Sequence, residues 1–154
     1  MLDWLGPQRI GASLQEISLH GALTCDGGPA GQTCSVQAPG EIFDVPVRRI
    51  EASFQDARFA QGRMMFATTH YASLLRALNA RYGSGEDRSF VAIAGMAADF
   101  PAGVFIWRSG PVSLVLEQYA GKIDRSSLTY GTHASMAGLI EKARASPRGA
   151  RRDL

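Results

Sequence analysis

The sequence predicts an α+β domain, an antiparallel meander sheet with helices packed on one face, and three patterns predict it. Residues 68–83 place Tyr71, Leu74, Leu75, Leu78 and Tyr82 on one helical stripe, with His70, Ser73, Arg76, Asn79 and Arg81 on the opposite side. Runs of β-branched and aromatic residues flank that helix, at 42–54 and 59–67 before it and at 104–107, 112–119 and 126–130 after it. A second stripe, Met136, Leu139, Ile140 and Ala143, follows the last of these runs. At roughly 1.5–3 kcal/mol per fully buried large side chain, the first stripe is worth on the order of 10 kcal/mol as an upper bound, so it must lie on a sheet. The order helix, strands, helix, strands, helix gives two helix-plus-meander blocks of similar layout, which suggests two similar units.

Taken along the chain, Ser13-Leu14-Gln15-Glu16 fits a capping box and predicts a short helix over 13–20, stopped by Gly21. Glycine and proline keep the segment between Cys25 and Cys34 from regular structure, with a brief strand at 34–37 and a break at Ala38-Pro39-Gly40. In 42–54 the apolar parity changes: Phe43, Val45 and Val47 share one face, Ile50, Ala52 and Phe54 the other. A bulge near Arg48-Arg49 must intervene if both sets face one core, and Pro46 points the same way. Gln55-Asp56 reads as a turn and 59–67 as the return strand, with Gly62 an irregularity and Met64, Met65 and Phe66 in the core. Thr68 or Thr69 caps the helix, and Gly83 ends it in a left-handed conformation. Beyond a polar loop, Phe90–Met96 is a strand, 97–103 a break around Pro101, and Ser109-Gly110-Pro111 a turn into 112–119. That last run is apolar on both parities and is the best candidate for the most buried strand. Gly121–Asp124 connects to the last strand, Ser135 caps a helix reaching about Ala145, and 146–154 is a disordered basic tail. One domain over 1–145 accounts for the rest.

Composition is that of an ordinary globular chain: 154 residues, 45% hydrophobic, 19% charged, net charge +2. No run approaches the roughly 18 apolar residues of a membrane-spanning helix. Met1 to Pro7 lacks the basic start and apolar core of a secretory signal. Cys25 and Cys34 are expected to form a disulfide, worth roughly 2–3 kcal/mol by the chain-entropy model; two structural thiols or a metal or reactive-thiol site are the alternatives. A structural disulfide calls for a periplasmic or secreted location, with the signal segment outside this chain; free thiols would place it in the cytoplasm.

The residues that could carry chemistry are few. His20, His70 and His133 are not paired at ligand spacing, and Cys-x8-Cys is not the close pair of a structural zinc site, so no metal or cofactor is expected. Ser135 within Gly131-Thr132-His133-Ala134-Ser135 reads as a helix cap, not a nucleophile elbow. Asp26 would disfavour a Cys25 thiolate. Glycines 27, 28 and 31 lack the following Lys-Ser/Thr of a phosphate loop. Arg48, Arg49, Arg58 and Arg63, spread over strand positions, read as a solvated face, which argues against nucleic acid as a partner. Glu117 lies on a largely apolar strand and calls for a cationic partner, with Arg108 across the hairpin the expected one.

The run Phe54-Gln55-Asp56-Ala57-Arg58-Phe59, then Tyr71, Leu74, Leu78, Arg81-Tyr82-Gly83, and later Trp107, Leu128 and Tyr130, resembles small bacterial cell-envelope domains of tandem helix–β-meander layout. The beta-lactamase-inhibitor-protein type and the small outer-membrane assembly lipoproteins belong to that group. The resemblance covers roughly residues 42–130, rests on packing motifs and carries over no functional residue. It implies a non-catalytic protein that binds another protein through its sheet face and loops. Phe105, Trp107 and Tyr119 are the expected contacts to that partner. The alternative reading is a small hydrolase or ligand-binding protein with His70 or His133 in a pocket between helix and sheet.

Overall fold

The computed structural model of the chain describes residues 24–28, 30–56, 58–93, 99–145, 147 and 149–153. The helix expected over 13–20 lies outside them. The first meander comprises β1 (Thr24–Gly28), β2 (Gly31–Ile42), β3 (Val45–Gln55) and β4 (Arg58–Ala67). A 3-10 turn at Thr68–His70 leads into α1 (Tyr71–Tyr82), followed by the short β5 (Glu86–Asp87), β6 (Phe90–Ile93) and β7 (Phe100–Ala102). Then come β8 (Val104–Ser109), β9 (Val112–Glu117), β10 (Arg125–Thr132), α2 (His133–Ala145) and β11 (Arg151–Asp153).

Among the described residues, eight strands form one antiparallel sheet in the order β1-β2-β3-β4-β10-β9-β8-β5, and β11-β6-β7 form a small second sheet. The two meanders therefore join where β10 returns beside β4. Their seam pairs Leu128 with Met64 and Tyr130 with Gly62. A Cβ on Gly62 would sit 2.5 Å from the Tyr130 ring, so the missing side chain lets that ring lie flat across the seam. The interior of β9 is buried on both faces, as expected from its apolar run, and so is that of β10.

The parity change in β3 has the predicted cause. Pairing with β4 slips between Val47 and Arg49, and Val45, Val47, Ile50, Ala52 and Phe54 all enter one core. Phe43, expected on the strand, instead shares a two-residue turn with Asp44, both at positive φ, a primed hairpin geometry usually written with asparagine and glycine. The segment between the cysteines is also more regular than glycine and proline suggested. β1 and β2 make a hairpin in which Cys25 and Cys34 face each other and are disulfide-bonded. The expected break at Ala38-Pro39-Gly40 is a register shift inside β2.

The expectation that the helices share one face is corrected by strand alternation. Leu114 and Leu116 of β9 enter the core with Leu74 and Leu78 of α1, whereas Val115 between them packs with Met136 and Ile140 of α2. The helices thus cover opposite faces. The threonines before α1 do not cap it: His70 occupies the N-cap without a side-chain bond, while Thr68 Oγ1 donates to the Gln118 carbonyl. Gly83 does close the helix, at φ 83°, with its N–H on Asn79 O. At α2 the cap is Thr132, whose Oγ1 accepts from Ser135 N; the Ser135 hydroxyl donates to Ala60 O. Residues 151–153, expected in a disordered tail, run parallel to β6, and Arg151 pairs with Asp99 at 2.7 Å. Unused backbone on the short β6 and a carboxylate within reach offset the polarity of that segment.

Candidate functional site

α2 crosses β8, β9 and β10 because its stripe of Met136, Ile140 and Ala143 finds Val104, Ile106 and Val115 on that face. Further along β9 the inward position after Val115 is Glu117, so the floor beneath the C-terminal half of α2 turns polar. Helix and sheet do not close there. They leave a cavity of about 390 Å³. Its apolar wall comes from Phe90, Val104, Leu139 and Ala143, and its polar wall from Arg63, Glu117 and Lys142, with the 118–121 loop at one end.

The cavity's frame is hydrogen-bonded. Gln118 donates its backbone N–H to Gly103 O at 2.8 Å and accepts Gly103 N at its side-chain Oε1 at 2.9 Å, tying the loop to the β7–β8 junction from both sides. The Gln118 carbonyl accepts from the hydroxyls of both Thr68 and Ser126. Tyr119 is held edge-on against Phe100, ring centroids 5.1 Å apart at 88°. Glu117 Oε2 lies 4.0 Å from Arg63 Nη2 and 3.5 Å from Ser127 Oγ, the outer limits of ion-pair and hydrogen-bond contact. Arg108, the partner expected for Glu117, is exposed and pairs across the ladder with Ser113; Arg63 reaches Glu117 from β4 instead.

Both ends of α2 are pinned by polar contacts. At its start, His133 Nε2 sits 3.0 Å from Gly110 O and Nδ1 2.6 Å from Ser113 Oγ. A carbonyl only accepts, so Nε2 carries the proton, and in the neutral ring Nδ1 accepts from the Ser113 hydroxyl. The pair has the outline of a nucleophile and base, but Ser113 is 0% exposed, so no substrate reaches its hydroxyl. At the other end Arg144 holds both carboxylate oxygens of Glu86 on β5, at 2.6 Å and 3.1 Å. The Arg144 hydrogen bonds hold the Glu86 carboxyl below its ordinary pKa, Arg88 adding to them and partial burial opposing.

Of the three residues expected to contact a partner, Phe105, Trp107 and Tyr119, Tyr119 alone lines the cavity. Trp107 is 3% exposed, packs with Leu114 on the α1 face and donates its indole N–H to Gly83 O. Phe105 is half-buried and stacks on Trp107. Neither faces the same side of the sheet as Tyr119's cavity. Cys25 and Cys34 form the expected bridge, far along the sheet from α2. The cavity does lie between a helix and the sheet, but its lining contains neither His70 nor His133. No group of three histidine, cysteine, aspartate or glutamate side chains among the described residues could hold a metal ion. No helix among the described residues is long and apolar enough to cross a membrane.

Sequence reasoning missed Phe90, Leu139 and Lys142 as cavity residues and treated Arg63 as part of a solvated face. Glu117 was the available signal: a carboxylate on a strand otherwise apolar on both parities marks the place where the helix cannot pack flush. Family models, curated proteins and solved structures were compared with the chain and none matches it, so its own residues carry the functional reading.

Proposed function

We propose that the chain is a small-molecule binding module whose ligand sits between α2 and the sheet, above Glu117 and Arg63. The observation carrying this reading is the cavity. Its volume of about 390 Å³ falls within the range of small-molecule sites, roughly 300–1,000 Å³, and one apolar wall faces a few placed polar groups. The loop tied at Gln118 and the helix pinned at both ends supply the pre-formed frame such sites have. Binding is favoured over turnover because the hydroxyl paired with a histidine, that of Ser113, is sealed.

Protein binding, which the envelope resemblance implies, would draw on Tyr119 at the cavity rim or on the half-buried Phe105, because Trp107 is buried against the α1 face. The Cys25–Cys34 bridge supports placing the domain in an oxidising compartment, as for the envelope domains it resembles. The test is a fragment screen read by backbone amide shifts. Binders should move the amides of Val104, Leu139 and Lys142, and Leu139→Trp, which fills the cavity, should abolish those shifts while preserving the fold. Binders that shift only other regions, or a screen without binders, would sink the reading.

A further inference from the structure

We infer that the ligand is an organic carboxylate with an apolar, ring-bearing body; this rests on the cavity reading above. Among the described residues, two cations from separate elements, Arg63 on β4 and Lys142 on α2, line one cavity with a single carboxylate, Glu117. That carboxylate is loosely engaged, with Arg63 at the 4.0 Å limit, and Lys142 has no ion-pair partner among the described residues. Other nearby charge is already committed: Arg144, on the same helix turn, is taken up bidentately by Glu86.

The C-terminal end of α2 opposes an anion, because its unpaired carbonyls amount to about half a negative charge. Glu117 and the helix end together leave the two cations in excess, so an anion is still favoured over a cation. The body of the ligand is set by the opposite wall. Phe90 and Tyr119 present rings, the latter fixed by Phe100, and Leu139, Val104 and Ala143 add aliphatic surface. A carboxylate can bridge Arg63 and Lys142 while its ring takes the apolar wall. A neutral molecule of the same shape would leave both cations without a new partner.

Titration calorimetry of the full chain with phenylpropionate, its primary amide and phenylpropylamine tests the class. The carboxylate should bind about tenfold more tightly than the amide, as charge-assisted hydrogen bonds exceed neutral ones, and the amine should bind weakest. Lys142→Gln, at an exposed position, should weaken the carboxylate several-fold and leave the amide unchanged; Arg63→Gln should do the same and improve the amine, because Glu117 loses the cation paired with it. Amide binding equal to that of the carboxylate, or the amine tightest, would overturn the carboxylate assignment while leaving the cavity reading intact. If all three fail to bind, or bind to the Leu139→Trp variant as well as to the parent, the cavity reading fails and takes this inference with it.

Discussion

Replacing His133 with alanine exposes how much of α2's position depends on one buried hydroxyl. In the parent, Ser113 Oγ has the His133 Nδ1 partner at 2.6 Å and no contact with solvent. Without the imidazole, that hydroxyl is left buried and unpaired, a cost of about 1–3 kcal/mol. The Nε2 bond to Gly110 O is exposed, so water replaces most of it, and alanine in the first helical turn returns a few tenths of a kcal/mol. The net expectation is a loss of about 2 kcal/mol, or roughly 4–8 °C in Tm for a chain of this size. Ser113→Ala should cost only about 0.5–1 kcal/mol, because it removes the orphan together with the bond and leaves an exposed histidine that water can satisfy. In the Ser113→Ala background, His133→Ala should therefore lose half or more of its effect. Urea denaturation of the four proteins of this cycle gives the coupling directly. An equal cost of His133→Ala in both backgrounds would refute the reasoning and reduce the pair to a surface contact.

Three further outcomes follow from the packing and the charges. Arg144 depresses the Glu86 pKa, so their interaction stabilises the fold above the ordinary carboxylate value of 4.5 and is lost as the pH falls through the lowered one; Arg144→Gln should flatten the acid limb of Tm against pH and leave the alkaline limb unchanged. Trp107→Ala should cost about 3–5 kcal/mol by denaturation, since it empties a core position and strips a partner from Gly83 O, whereas weakened partner binding at unchanged stability would return Trp107 to the surface role expected from sequence. The Cys25–Cys34 pair should resist alkylation until reduced, read by mass, and reduction should lower stability by roughly 2–3 kcal/mol; immediate alkylation would contradict the bridge.

Features set by local rules could be read from the sequence. The parity break between Val47 and Ile50 demanded a bulge, and Gly83 closed α1 where the apolar stripe ran out. The Met136-to-Ala143 stripe marked α2, and the run 112–119, apolar on both parities, marked a doubly buried strand. Features set by long-range pairing could not be read. Which face each helix takes depends on β10 returning beside β4, which no local pattern encodes, and the same event brings Arg63 within reach of Glu117. Capping failed for a related reason. Thr68 was a sound local cap, but the Gln118 carbonyl, fifty residues away in sequence, offered its hydroxyl an acceptor. Phe43-Asp44 carries none of the usual hairpin spelling, so its turn was hidden behind what looked like a continuous strand.

The cavity and the polar contacts at the two ends of α2 are consequences of one mismatch. An amphipathic helix laid on an apolar floor would seat along its whole length, with hydrophobic packing alone setting its height. Here the floor is apolar only beneath Met136 and Ile140, and at Glu117 it would force a carboxylate under the helix. Burying that charge flush against Leu139 and Ala143 would cost several kcal/mol, more than the extra apolar burial would return, so the helix stands off and the space stays open to solvent or ligand. A helix that stands off needs other fixings, and they are polar: the Ser113–His133–Gly110 bonds at one end and the Glu86–Arg144 pair at the other. Glu117→Leu should therefore do two things together. It should raise stability by letting α2 settle onto β9, and it should abolish ligand binding by closing the cavity. Raised Tm with binding retained would mean that the height of α2 is set by its end fixings and not by the Glu117 carboxylate.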